Sequence, residues 1–184
     1  MLGRDETGAL WVFGYGSLIW NPGFVFAERL PARLPGYRRA FCLRSIRYRG
    51  TPAAPGLVLA LAERAGAECR GLVYRVEAEH ADAAHAYLRE REMVTDSYLE
   101  TVQALEVEGR GEVRALAYVI DESHPQFADL PPRAQAEIIV AASGPAGTNR
   151  DYLHNTVAHL RELGLPDAEL EALDLQVRAL AGEG

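Results

Sequence analysis

The 184-residue chain contains no lysine; all 19 of its basic residues are arginine. The missing amine excludes a Schiff-base enzyme, a pyridoxal-phosphate enzyme and a Walker-A nucleotidase. Codon bias toward arginine in a GC-rich genome accounts for the absence, and the chemical exclusion holds whatever its cause. Cysteine is scarce. Cys42 and Cys69 alone make neither a disulfide framework nor a zinc set, and they suit a reduced, cytoplasmic setting. No apolar run approaches the ~20 residues of a membrane span. The opening residues, Met1 to Glu6, carry acids and no long apolar stretch, so no secretory signal is expected. Acidic residues outnumber basic ones, 26 to 19, for a formal charge of −7. That balance argues against a nucleic acid or an anionic membrane as partner.

What is present is the composition of an ordinary globule, 48% hydrophobic and 24% charged, from which we expect a single domain over residues 1–184. Residues 10–13 are apolar and partly aromatic and stop at a glycine cluster, which predicts a buried strand running into a loop. Trp20-Asn21-Pro22-Gly23 marks a turn. Strands are predicted at 37–46, 57–61 and 71–76, with Gly66 in the turn between the last two. Alanine, glutamate and arginine dominate 79–93, a helical composition. Strands at 98–107 and 113–120 follow, with Gly109 and Gly111 between them as a hairpin signal. Helices are predicted at 131–142, 149–163 and 167–180. Strands early and helices late make an α+β pattern rather than the alternation of a doubly wound sheet.

Several familiar sites fail on inspection. Gly14-Tyr15-Gly16 opens like a dinucleotide fingerprint, but its third glycine position holds Ile19 and a turn follows where a helix is needed. Ser17 lacks the glycine two residues before it that a nucleophile elbow requires, because position 15 is tyrosine. His154 and His159 share a predicted helix, but five residues place them ~140° apart around its axis, so they do not form a metal pair. His80, His85 and His124 have no partners in sequence. Cys42 lies within a strand and reads as a small packed hydrophobe.

Two features carry chemistry. The run Gly14-Tyr15-Gly16-Ser17-Leu18-Ile19-Trp20 follows a strand directly. Its two glycines permit positive φ and the exposure of successive N–H groups, an anion-binding concavity without a charged side chain. Read as packing alone, the run is a tight turn. The second feature is Glu92. At ~100° per residue, Ala84, Leu88 and Glu92 fall on one ridge of the helix, while Glu90 sits ~200° round from Leu88 and faces water. A carboxylate aimed at the apolar side loses solvation, and its pKa rises as a general base near neutral pH requires. The plainer reading is a solvated glutamate at a helix end.

The run from Val12 to Pro22 resembles the signature of the ChaC family of glutathione-specific γ-glutamylcyclotransferases. The resemblance continues through Arg49-Gly50-Thr51-Pro52, Pro55-Gly56, Gly71-Leu72-Val73-Tyr74-Arg75 and Arg91-Glu92-Met93, and recurs from Gly144 to Leu153. It implies a small mixed β-barrel with flanking helices, a γ-glutamylcyclotransferase-like fold whose C-terminal part is helical. It implies Glu92 as the catalytic glutamate, no metal and no cofactor, and the cleavage of glutathione to 5-oxoproline and cysteinylglycine. Two departures are visible: Leu57, where some members have arginine, and a longer interval from Glu92 to Tyr98. Both bear on substrate preference.

In the reaction so implied, the substrate's α-amine attacks its own γ-carbonyl and closes a lactam, so that proximity supplies much of the acceleration. Glu92 takes the ammonium proton and returns it to the leaving amine. The backbone N–H groups of Gly14, Tyr15, Gly16, Ser17, Leu18 and Ile19 bind the α-carboxylate. Tyr98 and Tyr118 are the candidate donors to the oxyanion. The loop from Gly144 to Asn149 either binds the glycyl carboxylate or simply caps a helix. A monomer is the default, since nothing in the sequence signals an interface. Two alternatives remain: a cyclotransferase for other γ-glutamyl dipeptides or amines, told apart by assaying γ-glutamylalanine, and a non-catalytic γ-glutamyl-binding or cation-related regulator, which would bind its ligand without consuming it.

Overall fold

A computed structural model describes residues 2–183. In chain order the elements are β1 (Leu10–Gly14), a 3-10 turn (Ser17–Ile19), β2 (Glu28–Ser45), β3 (Gly56–Val76), α1 (Ala78–Glu92), β4 (Tyr98–Val107), β5 (Gly111–Ile120) and α2 (Pro132–Ala141). The two-residue strands β6 (Ser143–Gly144) and β7 (Gly147–Thr148) follow, then α3 (Asn149–Glu162) and α4 (Ala168–Ala181). Strands β1-β3-β2-β4-β5 close a barrel in that order. β1 runs antiparallel to β3 but pairs parallel with β5 at Val12 and Leu116, so the barrel is mixed. The expected α+β architecture, barrel and helices with a helical C-terminal part, is the one found.

Two strands extend further than their sequences suggest. Residues 57–61 and 71–76 are the two ends of a single strand, β3. Gly66, in its middle, has φ +78 and nothing lies within 4 Å of where a Cβ would point, so it bends an exposed stretch without ending it. β2 begins at Glu28 and runs through Pro31, Pro35 and Gly36, which read as strand breakers. Both prolines sit at exposed positions and Gly36 takes φ +80, so the strand flexes there and continues.

The chain packs as two compact units. One comprises the residues up to Arg39 together with Leu61–His124; the other comprises Ala40–Ala60 together with the residues from Pro125 onward. The first unit is built on Leu10, Phe13, Tyr74, Leu88, Leu105, Leu116 and Tyr118, all fully buried. Burying each leucine or phenylalanine side chain contributes ~1.5–3 kcal/mol. In the second unit α2 and α3 pack on α4 through Ile139, Leu153, Val157, Leu170 and Val177. Buried Asn149 there imitates a strand partner. Its amide donates to the Leu57 carbonyl at 2.7 Å and accepts from the Leu57 N–H at 2.6 Å.

At Gly71 the β3 backbone lies close against β1. A Cβ there would lie 2.3 Å from the Gly14 carbonyl oxygen and 2.7 Å from the Phe13 ring. Gly71→Ala is therefore expected to destabilise by ~1–3 kcal/mol, as overpacking does, and to lower the urea midpoint at unchanged slope. An unaltered midpoint would contradict the contact.

Candidate active site

The candidate site lies within the first unit and is assembled from β1, the 3-10 turn, β3, α1, β4 and β5. β1 delivers the chain to the glycine loop. The 3-10 turn is closed by the Ile19 N–H on the Gly16 carbonyl at 2.8 Å, and the Asn21 N–H then reaches Ser17 O at 2.9 Å. Tyr74 of β3 donates its hydroxyl to the carbonyls of Leu18 and Ile19, at 2.9 and 3.0 Å. Burial pushes the Tyr74 phenol up, against the charge of Arg29, so it remains a protonated donor. With these carbonyls turned onto Tyr74, the Ser17 and Leu18 amides open the turn and have no acceptor within it.

Two details of the loop differ from expectation. Neither Gly14 nor Gly16 has positive φ. Packing favours glycine at 14, because a Cβ there would crowd Leu18 Cβ and the Tyr74 ring, each at 3.2 Å. The Ile19 amide is committed to Gly16, which removes it from the donors free to face an anion.

α1 supplies the carboxylate. Its alanine-rich sequence favours helix, and Ala81, Ala84 and Leu88 form its buried ridge. Glu92 continues that ridge one turn further, with its side chain 18% exposed, whereas Glu90 is exposed. Burial pushes the Glu92 carboxyl above its ordinary range, and the adjacent Arg91 charge opposes the shift. Arg91 Nε lies 3.2 Å from Glu92 Oε1. The same guanidinium donates from Nη2 to Ser17 Oγ at 2.9 Å and from Nη1 to Asn21 O at 2.7 Å and Tyr87 Oη at 3.1 Å. One side chain thus holds the carboxylate and the glycine loop together.

β4 and β5 add a second polar group. Glu100 and Tyr118 are direct cross-strand partners. Tyr118 donates to Glu100 Oε1 at 3.0 Å, His85 Nε2 reaches the same oxygen at 2.9 Å, and Arg89 Nη1 reaches Oε2 at 2.9 Å. Burial alone raises the Glu100 carboxyl, but the hydrogen bonds from His85 and Tyr118 and the charges of His85 and Arg89 together outweigh it, and the net shift is downward. Tyr118 is pushed strongly up, by burial first and then by the charge of Glu100. Tyr98 stands at the head of β4, half-buried, opposite Ile120.

The remaining candidates fall elsewhere. His154 pairs with Asp174 and His159 faces the Asn155 carbonyl, so the two do not meet. Among the described residues no group of three His, Cys, Asp or Glu side chains is arranged to hold a metal ion, and no helix is long and apolar enough to cross a membrane. Cys42 is buried as a small hydrophobe. In the second unit, Thr148 caps α3 by accepting from the Asp151 N–H at 3.1 Å, and Arg49 donates to Thr148 O at 3.3 Å. The helix-cap reading of that loop therefore has its hydrogen bond.

Tyr74, Arg91, His85, Arg89 and Glu100 belong to the site but had no role assigned from the sequence. Tyr74 and Arg91 bind partners more than 50 positions away, and no local pattern announces that. His85 does have a partner, Glu100, and a signal was available: it precedes Glu92 by seven residues, nearly two whole turns, and so shares its face of the helix.

This combination of barrel and glycine loop has a known class. The structure superposes on a γ-glutamylcyclotransferase specific to glutathione from yeast with a TM-score of 0.80 at 25% identity, covering 94% of this chain and 96% of that one. The fold is thus the γ-glutamylcyclotransferase fold. By sequence, the chain matches the ChaC-like protein family over residues 10–180 and belongs to it. It is 40% identical over 181 residues to the glutathione-specific γ-glutamylcyclotransferase of Escherichia coli (strain K12), covering 98% of this chain and 78% of the relative. It is 36% identical over 182 residues to γ-glutamylcyclotransferase 2-3 of Arabidopsis thaliana, covering 95% and 92% of the two chains.

The raised Glu92 carboxyl has a consequence for stability. Between its ordinary and its raised pKa the folded chain holds a proton that the unfolded chain has lost, so stability falls as pH rises through that window. Glu92→Gln, which cannot ionise, is expected to melt at a higher temperature than wild type at pH 7. The advantage should vanish near pH 4, at or below the ordinary carboxyl value of ~4.3. A difference equal at both pH values would contradict the desolvation.

Proposed function

We propose that this protein is a glutathione-specific γ-glutamylcyclotransferase that releases 5-oxoproline and cysteinylglycine. The observation that carries the reading is Glu92, a carboxylate largely removed from water at the end of α1 and tied through Arg91 to the glycine loop. The relatives named above support the substrate.

The mechanism follows from those residues. The amides of the Gly14–Leu18 stretch, Ser17 and Leu18 foremost, bind the α-carboxylate of the γ-glutamyl group. Glu92 removes a proton from the α-ammonium, and the freed amine attacks the γ-carbonyl. A C–N bond forms to give a five-membered ring, and negative charge develops on the carbonyl oxygen. Tyr98 is the proposed hydroxyl donor to that oxygen. As the intermediate collapses, the amide bond to cysteine breaks and Glu92 gives its proton to the departing amine; the ring nitrogen then gives up its second proton to the freed Glu92 carboxylate, leaving the neutral lactam. The nucleophile belongs to the substrate, so the chain needs no nucleophilic serine or cysteine and no metal-bound water. We read the protein as a cytoplasmic monomer acting on a small molecule, with no cofactor and no nucleic-acid or membrane partner.

The test is release of 5-oxoproline from glutathione at neutral pH with chelator present, beside γ-glutamylalanine as competitor substrate. Wild type should consume glutathione preferentially. Glu92→Gln should lose ~10²–10⁴-fold in turnover, the range for a positioned general base, and Glu90→Gln should stay close to wild type. Loss of activity in Glu90→Gln with Glu92→Gln active would overturn the assignment, and preference for γ-glutamylalanine would overturn the substrate.

A further inference from the structure

Tyr118 is held in a way that defines what it offers a ligand. A phenol has one O–H to donate and lone pairs with which to accept. The single Tyr118 proton lies on Glu100 Oε1 at 3.0 Å, in a bond to an ionised carboxylate, the stronger kind. Glu100 is fixed in turn by His85 and Arg89, so both of its oxygens are occupied. The arrangement is built into the fold. Glu100 and Tyr118 face one another across the β4–β5 ladder, and His85 and Arg89 reach them from α1. Tyr118 is 1% exposed, and both Glu100 and Glu92 lie within electrostatic reach of its hydroxyl. What Tyr118 presents is therefore an oxygen that accepts. It does not present a proton that donates.

We infer that Tyr118 is an acceptor for the substrate's α-ammonium, with Glu100 and His85 as the residues that position it. The inference rests on the cyclotransferase reading and deepens it by naming what recognises the ammonium before Glu92 takes its proton. A protonated amine carries three N–H donors, enough to bond both Glu92 and Tyr118. It also changes the part foreseen for Tyr118 from the sequence, from donor at the oxyanion to acceptor at the amine. Recognition of this kind selects γ-glutamyl compounds whose α-amine is free and charged.

The experiment separates these roles by kinetics. Tyr118→Phe should raise the KM for glutathione about 10-fold, as loss of one hydrogen bond to a charged group does, with kcat within about threefold of wild type. Glu100→Gln removes the charge that orients the Tyr118 proton and is expected to shift KM in the same direction, which keeps the inference testable if the phenylalanine variant folds poorly. A second probe is glutaryl-cysteinylglycine, which lacks the amine. Its inhibition constant should be the same for wild type and both variants, because it has no ammonium for Tyr118 to hold. A fall in kcat of ~10²-fold at unchanged KM would instead mark Tyr118 as an oxyanion donor and overturn the inference. Equal weakening toward glutathione and the amine-free analogue would reduce Tyr118 to a structural role and overturn it as well. A wild-type protein that releases no 5-oxoproline is a distinct result, which overturns the functional reading and this inference with it.

Discussion

The Arg91 guanidinium is the contact on which the candidate site depends. It lies at the C-terminal end of α1, touches the carboxylate beside it, and reaches the loop that follows β1 through Ser17 and Asn21. Without it, the glycine loop would lose its tie to α1 through Ser17 and Asn21, and Glu92 its neighbouring positive charge. The planar fork suits the task, since its separate nitrogens address a carboxylate, a hydroxyl and a carbonyl at fixed angles. Such a side chain does not stabilise as a surface ion pair does. Its value is geometric, because it sets where a proton acceptor stands relative to a row of amides.

The two carboxylates of the site are tuned in opposite directions. Glu92 has one charged neighbour and little water, so burial dominates and its proton affinity rises. Glu100 is also partly buried, but His85, Tyr118 and Arg89 supply donors and charge, and it stays ionised. A carboxylate that must exchange a proton is thus left under-solvated. One that must hold its neighbours in place is fully bonded. The separation follows from which side chains project from one face of α1 and from one pair of facing strand residues.

Much of this was legible in the sequence, and the reasons differ by element. The ridge of Ala84, Leu88 and Glu92 could be read because helical periodicity is local, and α1 runs one residue earlier than expected at each end. The glycine loop was legible from composition, but the use of its glycines was not. Gly14 answers to Tyr74, a residue 60 positions later that only the β1–β3 pairing brings near. The continuity of β3 through Gly66 was hidden because glycine marks both turns and bends. Arg91 stood out only as a neighbour of Glu92, and Glu100 not at all. Their roles arise from tertiary pairings that no window of sequence contains, and the same is true of His85.

The central claim is that Glu92 acts as a base desolvated by its surroundings and moderated by Arg91. The most direct measurement is the pH dependence of kcat for 5-oxoproline release from glutathione, in wild type, Arg91→Lys and Arg91→Met. Activity should fall as pH drops through the Glu92 titration. Removing the charge in Arg91→Met should move that acidic limb to higher pH, while Arg91→Lys should leave it near the wild-type position. An acidic limb in the same place in all three proteins would contradict the account.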